Sequence, residues 1–197
     1  MSQDTSSSLD GRVQRGERNR QKILEALFEL VGEGILRPTA EQVAERAGVG
    51  TRTVFRHFDD MESLLGELHR RVAGEFKPSF QSEGILHGGT IGDRIAAAVE
   101  FRTGFFERIA PFKRSGNLNR WRSPTLQRAH AEMVKELRGH LLASLPELDD
   151  GASETADALE LLLSFEAWDR LRTDQRLGKE RARAVLEHAA RALVADL

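Results

Sequence analysis

Apolar residues recur at three- and four-residue spacing along nearly the whole chain, which predicts an all-α protein with no strand-period segment. Ile23, Leu24, Leu27, Phe28 and Val31 mark a first helix over about residues 16–33, closed by Gly32 and Gly34. Val43, Ala44 and Ala47 mark a short second helix, and Val54 with Phe58 a short third from Thr51. Met61, Leu64, Leu65, Leu68 and Val72 mark a fourth. Loop composition follows at 77–90, where KPSFQSEGILHGGT gathers proline, serine and glycine. Beyond it, Ile91, Ile95, Ala98, Val99, Phe105, Phe106 and Ile109 predict a helix stopped by Pro111. Leu126, His130, Met133, Leu137 and Leu141 predict a long helix ending before Pro146. Residues from about 154 to 173 read as one helix, with Leu159, Leu161, Leu162, Leu163, Phe165 and Trp168 covering most of its circumference. Such a girdle implies burial on two sides, whereas Ala182, Val185, Leu186, Ala189, Leu193 and Val194 give the last helix a single apolar stripe. The last two helices can therefore pair with their copies in a second subunit as a four-helix bundle.

The segment from Thr39 to Leu65 carries the most local information. Thr39 can cap a helix whose Gln42 reaches back to complete a capping box, and Pro38 stops the helix before it. Gly48 tolerates the left-handed conformation of a tight helix-ending turn, and Val49 supplies the apolar contact that closes it. From Thr51 to Phe58, Val54 and Phe58 face inward and Thr51, Arg52, Thr53, Arg56 and His57 project outward. Eight residues make a rod of roughly 12 Å, comparable to the width of the DNA major groove. His57, at the end of that helix, either contacts a phosphate or base or caps the helix. Asp59 with Glu62 is expected to cap the next helix. The pattern is a helix-turn-helix with an anchoring helix after it.

Charge changes the picture only when it is located along the chain. The 197 residues carry a formal net charge of −2, which looks wrong for a DNA-binding protein until the distribution is considered. Arg12, Arg15, Arg18, Arg20 and Lys22 stand against the single acid Glu17 just before the helix-turn-helix, a local excess suited to phosphate contact. Residues 1–15 are accordingly expected to be a disordered basic arm, 16–74 the DNA-binding domain and 75–197 a second helical domain. The absence of cysteine excludes a disulfide scaffold and thiolate metal sites and suits a reducing cytoplasm. MSQDTSSSLDGR lacks a signal-peptide core, and no apolar run approaches the roughly 18 residues needed to cross a bilayer.

Thr39, Val43-Ala44, Ala47-Gly48-Val49, Thr53-Val54-Phe55, His57-Phe58, Glu62 and Leu64-Leu65 together make the segment resemble the TetR family of bacterial transcriptional regulators. Two positions depart from the family pattern. Phe55 replaces a tyrosine that often contacts phosphate, and Met61 replaces a common lysine. The resemblance implies a homodimeric, ligand-responsive regulator, a repressor on a palindromic DNA operator, released by a largely apolar small-molecule effector. DNA contact is expected from Arg18, Arg20, Ala40, Glu41, Thr51, Arg52, Thr53, Phe55, Arg56 and His57. An effector pocket is expected among Phe101, Phe105, Trp121, Met133, Phe165 and Trp168, in the domain where the family places one. The dimer interface is expected at Leu159, Leu162, Leu163, Val185, Leu186, Ala189 and Leu193.

The remaining chemistry is sparse. Arg108, Lys113, Arg114, Arg120, Arg122 and Arg128 form a run without an acid that would hold an anionic headgroup, sit above DNA or simply be solvated. Six histidines are scattered without metal spacing, and there is no GxSxG elbow or phosphate-binding glycine loop. No metal, cofactor or catalytic activity is expected. A ligand-independent DNA-binding protein is the rival reading, and an enzyme of the C-terminal domain a more distant one.

Overall fold

The computed structural model describes residues 4–76, 85, 87–148 and 154–195, with the side chains of residues 4–13 and Phe76 left aside. Most of the loop expected over 77–90 lies outside the described residues. The described residues form α1 (Asp4–Gly32), α2 (Ala40–Ala47), α3 (Thr51–His57), α4 (Met61–Phe76), α5 (Ile91–Arg120), α6 (Pro124–Ser144), α7 (Glu154–Leu162), α8 (Phe165–Asp169) and α9 (Lys179–Leu193). A 3-10 turn at Pro146–Leu148 follows α6, and a π-helical turn at Arg170–Asp174 extends α8. The chain divides into two compact units, Met1–Val72 with Pro111–Gln127, and Ala73–Ala110 with Arg128–Leu197.

Three elements differ from the sequence expectation, each for a physical reason. Helix α1 starts at Asp4 rather than near residue 16, so the basic segment before the helix-turn-helix is helical and not a disordered arm. Its Arg, Gln and Glu residues are good helix formers once packing fixes the apolar face that begins at Ile23. Helix α5 runs through Pro111, which was expected to end it. An interior proline costs about 3 kcal/mol, but Ile109 and Phe112 on either side are both buried and contribute about 1.5–3 kcal/mol each. The boundary between the two units falls at this proline, so Pro111–Gln127 joins the N-terminal unit and not the C-terminal residues with which it was grouped. Finally, the expected continuous helix over 154–173 breaks at Leu163–Ser164. The Ser164 hydroxyl accepts from the Ala167 N–H at 3.2 Å and starts α8 afresh.

The first unit packs Ile23, Leu27, Val31, Val43, Val54, Phe58, Leu64 and Leu68 into one core, where Phe112 stacks on Phe28 at 4.7 Å. Ion pairs tie its helices together around this core. Arg46 of α2 reaches Glu29 and Glu33 of α1, and Arg71 of α4 reaches Glu25 at 2.8 Å while lying over Phe28. His69 of α4 seats its ring against Gly116 of α5, where a Cβ would stand only 2.4 Å from the imidazole Nε2. Burial pushes the His69 imidazole below its ordinary pKa.

The second unit is built on Ile95, Val99, Phe106, Leu137, Leu141, Leu159, Phe165, Trp168 and Leu186. Phe106 meets Phe165 edge-on at 5.8 Å, and α7 packs on α9. Unusually, this apolar core contains Arg102, which is fully buried and donates to the Leu163 carbonyl at 2.8 Å and the Leu137 carbonyl at 2.5 Å. Burial pushes its guanidinium down to about 10, opposed by Glu160.

Candidate nucleic-acid interface

The local signals of the helix-turn-helix form as the residue chemistry dictates. The Thr39 hydroxyl accepts from the Gln42 N–H at 3.3 Å, and the Thr39 N–H donates to the Gln42 side-chain oxygen at 2.9 Å, completing the capping box of α2. Gly48 ends the helix at φ 65°, ψ 35°, and the Val49 N–H closes the turn on the Ala44 carbonyl at 3.0 Å. Helix α3 follows after Gly50, which offers no side-chain cap. The cap of α4 falls one residue later than expected. Asp60, not Asp59, accepts from the Ser63 N–H at 2.7 Å, because Ser63 can answer through its hydroxyl.

Helix α3 presents two unlike faces. Val54 and Phe58 are buried and hold the helix on the core, whereas Arg52, Phe55 and Arg56 are exposed and Thr51, Thr53 and His57 half-exposed. Phe55 leaves 49% of its surface accessible, a large exposed aromatic on the same helix as Arg52 and Arg56. No ion pair among the described residues involves Arg52 or Arg56. The surface is thus cationic, hydrogen-bonding and apolar at once, the mixture that duplex DNA recognition requires.

The sequence model described as bacterial regulatory proteins, tetR family, matches residues 23–68, which include α2, α3 and the turn between them. Over this segment the chain is similar to the tetR family of bacterial regulatory proteins. Solved structures agree at the level of fold. A TetR-family transcriptional regulator from Streptomyces coelicolor superposes with a TM-score of 0.71 at 17% identity, over 91% of this chain and 81% of that one. A transcriptional regulator from Rhodococcus sp. Rha1 gives 0.67 at 17% identity, over 92% and 96% of the two chains. The multidrug binding protein EbrR, in complex with imidazole, gives 0.56 at 24% identity, over 86% and 93%. No curated protein matches the chain significantly.

Within the first unit, the other expected DNA contacts are placed unequally. Arg18 is exposed and donates to the Gln14 carbonyl of its own helix, at 3.3 Å. Arg20, in contrast, turns its fork onto Glu67 of α4 and lies over the Phe58 ring at 4.8 Å. The bidentate bond raises the Arg20 pKa and lowers that of Glu67. Arg20 therefore holds α1 to α4 while staying half-exposed. Ala40, at the start of α2, is buried. Glu41 is exposed, and a hydrogen bond from its own backbone N–H, then one from Thr39, keeps its carboxyl below the ordinary value. An anion at that position repels phosphate. His57 lies beneath α1, with Gly16 facing its ring and its Nε2 buried without a hydrogen-bond partner among the described residues. Burial, then Arg56 and Arg20, hold its pKa below the ordinary imidazole value.

The expected effector residues are not all brought together. Phe105, Phe165 and Trp168 are buried in the packed core of the second unit, with Met133 packed against it, and Phe101 stacks on His140 at 4.4 Å. Trp168 donates to Glu107 at 3.0 Å, and Arg172 donates to the same carboxylate at 2.9 Å. Trp121 belongs to the first unit and is 75% exposed. Of the expected dimer residues, Leu159, Leu163 and Leu186 are already buried within the chain and have no surface left for a partner. Leu162, Val185 and Ala189 keep partial exposure and Leu193 more, and Leu161, absent from the expected set, is 71% exposed. Its place in the girdle was the signal that could have found it. Arg102 was missed too, although it stands three residues after Val99 and four before Phe106, on an apolar face.

Lys113 of the basic run is buried, so that run is not one solvated face. Among the described residues no group of three or more His, Asp or Glu could hold a metal ion, and no helix is long and apolar enough to cross a membrane.

Proposed function

We propose that this protein is a TetR-family transcriptional regulator, a homodimeric, cytoplasmic repressor that docks α3 in the major groove of a palindromic operator. The single observation that carries the reading is the outward face of α3, where Arg52, Phe55 and Arg56 stand exposed on a helix pinned by Val54 and Phe58. Arg52 and Arg56 suit guanine edges or phosphates, and Phe55 suits a thymine methyl or sugar. Thr51 and Thr53 add hydroxyls at the helix start, and Arg18 adds a phosphate contact from α1. Two such helices related by a two-fold axis would read half-sites one helical turn apart. The exposed apolar residues Leu161 and Leu193, with half-buried Leu162, Val185 and Ala189, are the surface a second copy would cover.

Release follows by linkage. An apolar effector bound in the second unit, near Phe101 and Met133, weakens DNA binding by as much as DNA weakens effector binding, typically about 1–3 kcal/mol. EbrR, described as a multidrug binding protein, offers a precedent of similar fold for that arrangement. The test is titration of DNA from upstream of the gene, read by fluorescence anisotropy against random duplex across a salt series. The reading expects a specific complex with a steep salt slope. Equal affinity for both duplexes at every salt concentration would remove it.

A further inference from the structure

The α5–α6 turn carries a tryptophan that neither the fold nor the DNA-facing surface uses. Trp121 is 75% exposed, an uncommon state for the residue with the largest apolar surface. The turn that displays it is well fixed. The Arg122 N–H bonds the Asn119 carbonyl at 3.2 Å, and the Gln127 side-chain amide donates to the carbonyls of Arg120 at 3.1 Å and Trp121 at 3.3 Å. Beside it lies a cavity of about 240 Å³, bounded by Arg37 and Pro38 before α2, Glu62 and Leu65 on α4, and Leu118, Trp121 and Arg122 around the turn. All of these residues belong to the first unit. That volume corresponds to about eight waters at about 30 Å³ each, enough for a single-ring organic molecule.

The chemistry of the walls narrows the occupant. Trp121 offers an indole face with the Arg122 guanidinium 6.0 Å from its ring. Arg37 is exposed, and no carboxylate among the described residues forms an ion pair with Arg37 or Arg122. Leu65, Leu118 and Pro38 supply apolar contact, and Glu62 is the one acid on the wall. An aromatic ring stacks on indole, a carboxylate answers a guanidinium, and Glu62 repels a second carboxylate. We propose that Trp121, Arg122 and Arg37 form a binding site for a single-ring aromatic monocarboxylate. This site is separate from the effector site of the second unit and does not depend on it. Arg37 directly precedes Pro38 and the Thr39 cap of α2, so a bound acid ties the α5–α6 turn to the start of the helix-turn-helix.

The test uses the whole protein labelled with 5-fluorotryptophan. Its two tryptophans give two fluorine NMR signals, assigned with the exposed-site variant Trp121→Phe. Benzoate is expected to move the Trp121 signal saturably and leave that of Trp168 in place. Benzyl alcohol, without the charge, and terephthalate, with a second carboxylate facing Glu62, are expected to bind at least tenfold more weakly. The surface pair Arg37→Gln with Arg122→Gln is expected to weaken benzoate at least tenfold while keeping the buried Trp168 signal at its native position. No saturable shift, a shift of Trp168 alone, or unchanged affinity in the double variant would overturn the proposal. So would a Trp121 signal that moves with duplex DNA and not with benzoate, because the surface would then belong to a DNA flank.

Discussion

The two units treat arginine in opposite ways. In the first, Arg20, Arg46 and Arg71 lie around the core and tie helices to one another through Glu67, Glu29 with Glu33, and Glu25, while Arg52 and Arg56 are kept outside on α3. In the second, Arg102 lies inside the core, holding backbone carbonyls of Leu137 and Leu163, and the half-buried Glu160 acts on its charge. Surface pairs contribute little individually, but here several of them join α2 and α4 to α1. A buried guanidinium is different, since its desolvation is recovered only through well-placed acceptors. The first unit is thus organised at its rim, and the second from its centre.

The largest test of that contrast is at Arg102. Arg102→Ala should lower unfolding stability by about 3 kcal/mol, through lost charge-assisted hydrogen bonds and the void left behind. Arg102→Met, of similar length and apolar, should cost under about 1 kcal/mol or even stabilise. Denaturant unfolding of both variants reads the difference, and equal losses would mean that the charge itself is needed. At Gly116 the head has its own tight contact. Gly116→Ala places a Cβ 2.4 Å from His69 Nε2 and should cost about 2 kcal/mol by overpacking. His69→Ala should return most of that loss in a double-mutant cycle, and additive losses would show that the two residues are not in contact.

Gly48→Ala should cost about 1 kcal/mol through the left-handed conformation alone, because no atom lies within 4 Å of the added Cβ. A much larger loss would reveal a steric role. The rim pair should matter least. Glu67→Gln should cost about 1 kcal/mol or less at pH 7. Because Arg20 holds the folded Glu67 pKa below its unfolded value, this stability is fully present above the unfolded pKa and is lost as pH falls through the folded one. Wild type and variant should therefore converge in thermal melts at low pH, and a gap that widens on acidification would contradict the pairing.

What could be read from the sequence follows the range of the interactions. The capping box of Thr39 with Gln42, the Gly48 turn and the inward pair Val54 and Phe58 all lie within a few residues of their partners, so residue types and spacing disclosed them. Arg20 could not be read that way. Its partner Glu67 is 47 positions away, and a basic cluster looks the same whether it faces DNA or a carboxylate. Pro111 likewise sits inside a helix because residues distant in sequence bury Ile109 and Phe112. Ser164 breaks the helix after Leu162 through a cap that the apolar pattern alone concealed. Trp121 was grouped with the other aromatics by composition, and only the fold sets it on an exposed turn of the other unit.

The account rests on the outward arginines of α3, rather than the paired Arg20, meeting DNA. The most direct measurement is the salt dependence of duplex binding for wild type, Arg56→Gln and Arg20→Gln, by fluorescence anisotropy at a temperature where all three are folded. If Arg56 meets a phosphate, its loss lowers the slope of log affinity against log salt by about 0.9, while Arg20→Gln leaves the slope at the wild-type value. A slope lowered by Arg20→Gln and untouched by Arg56→Gln would contradict the account.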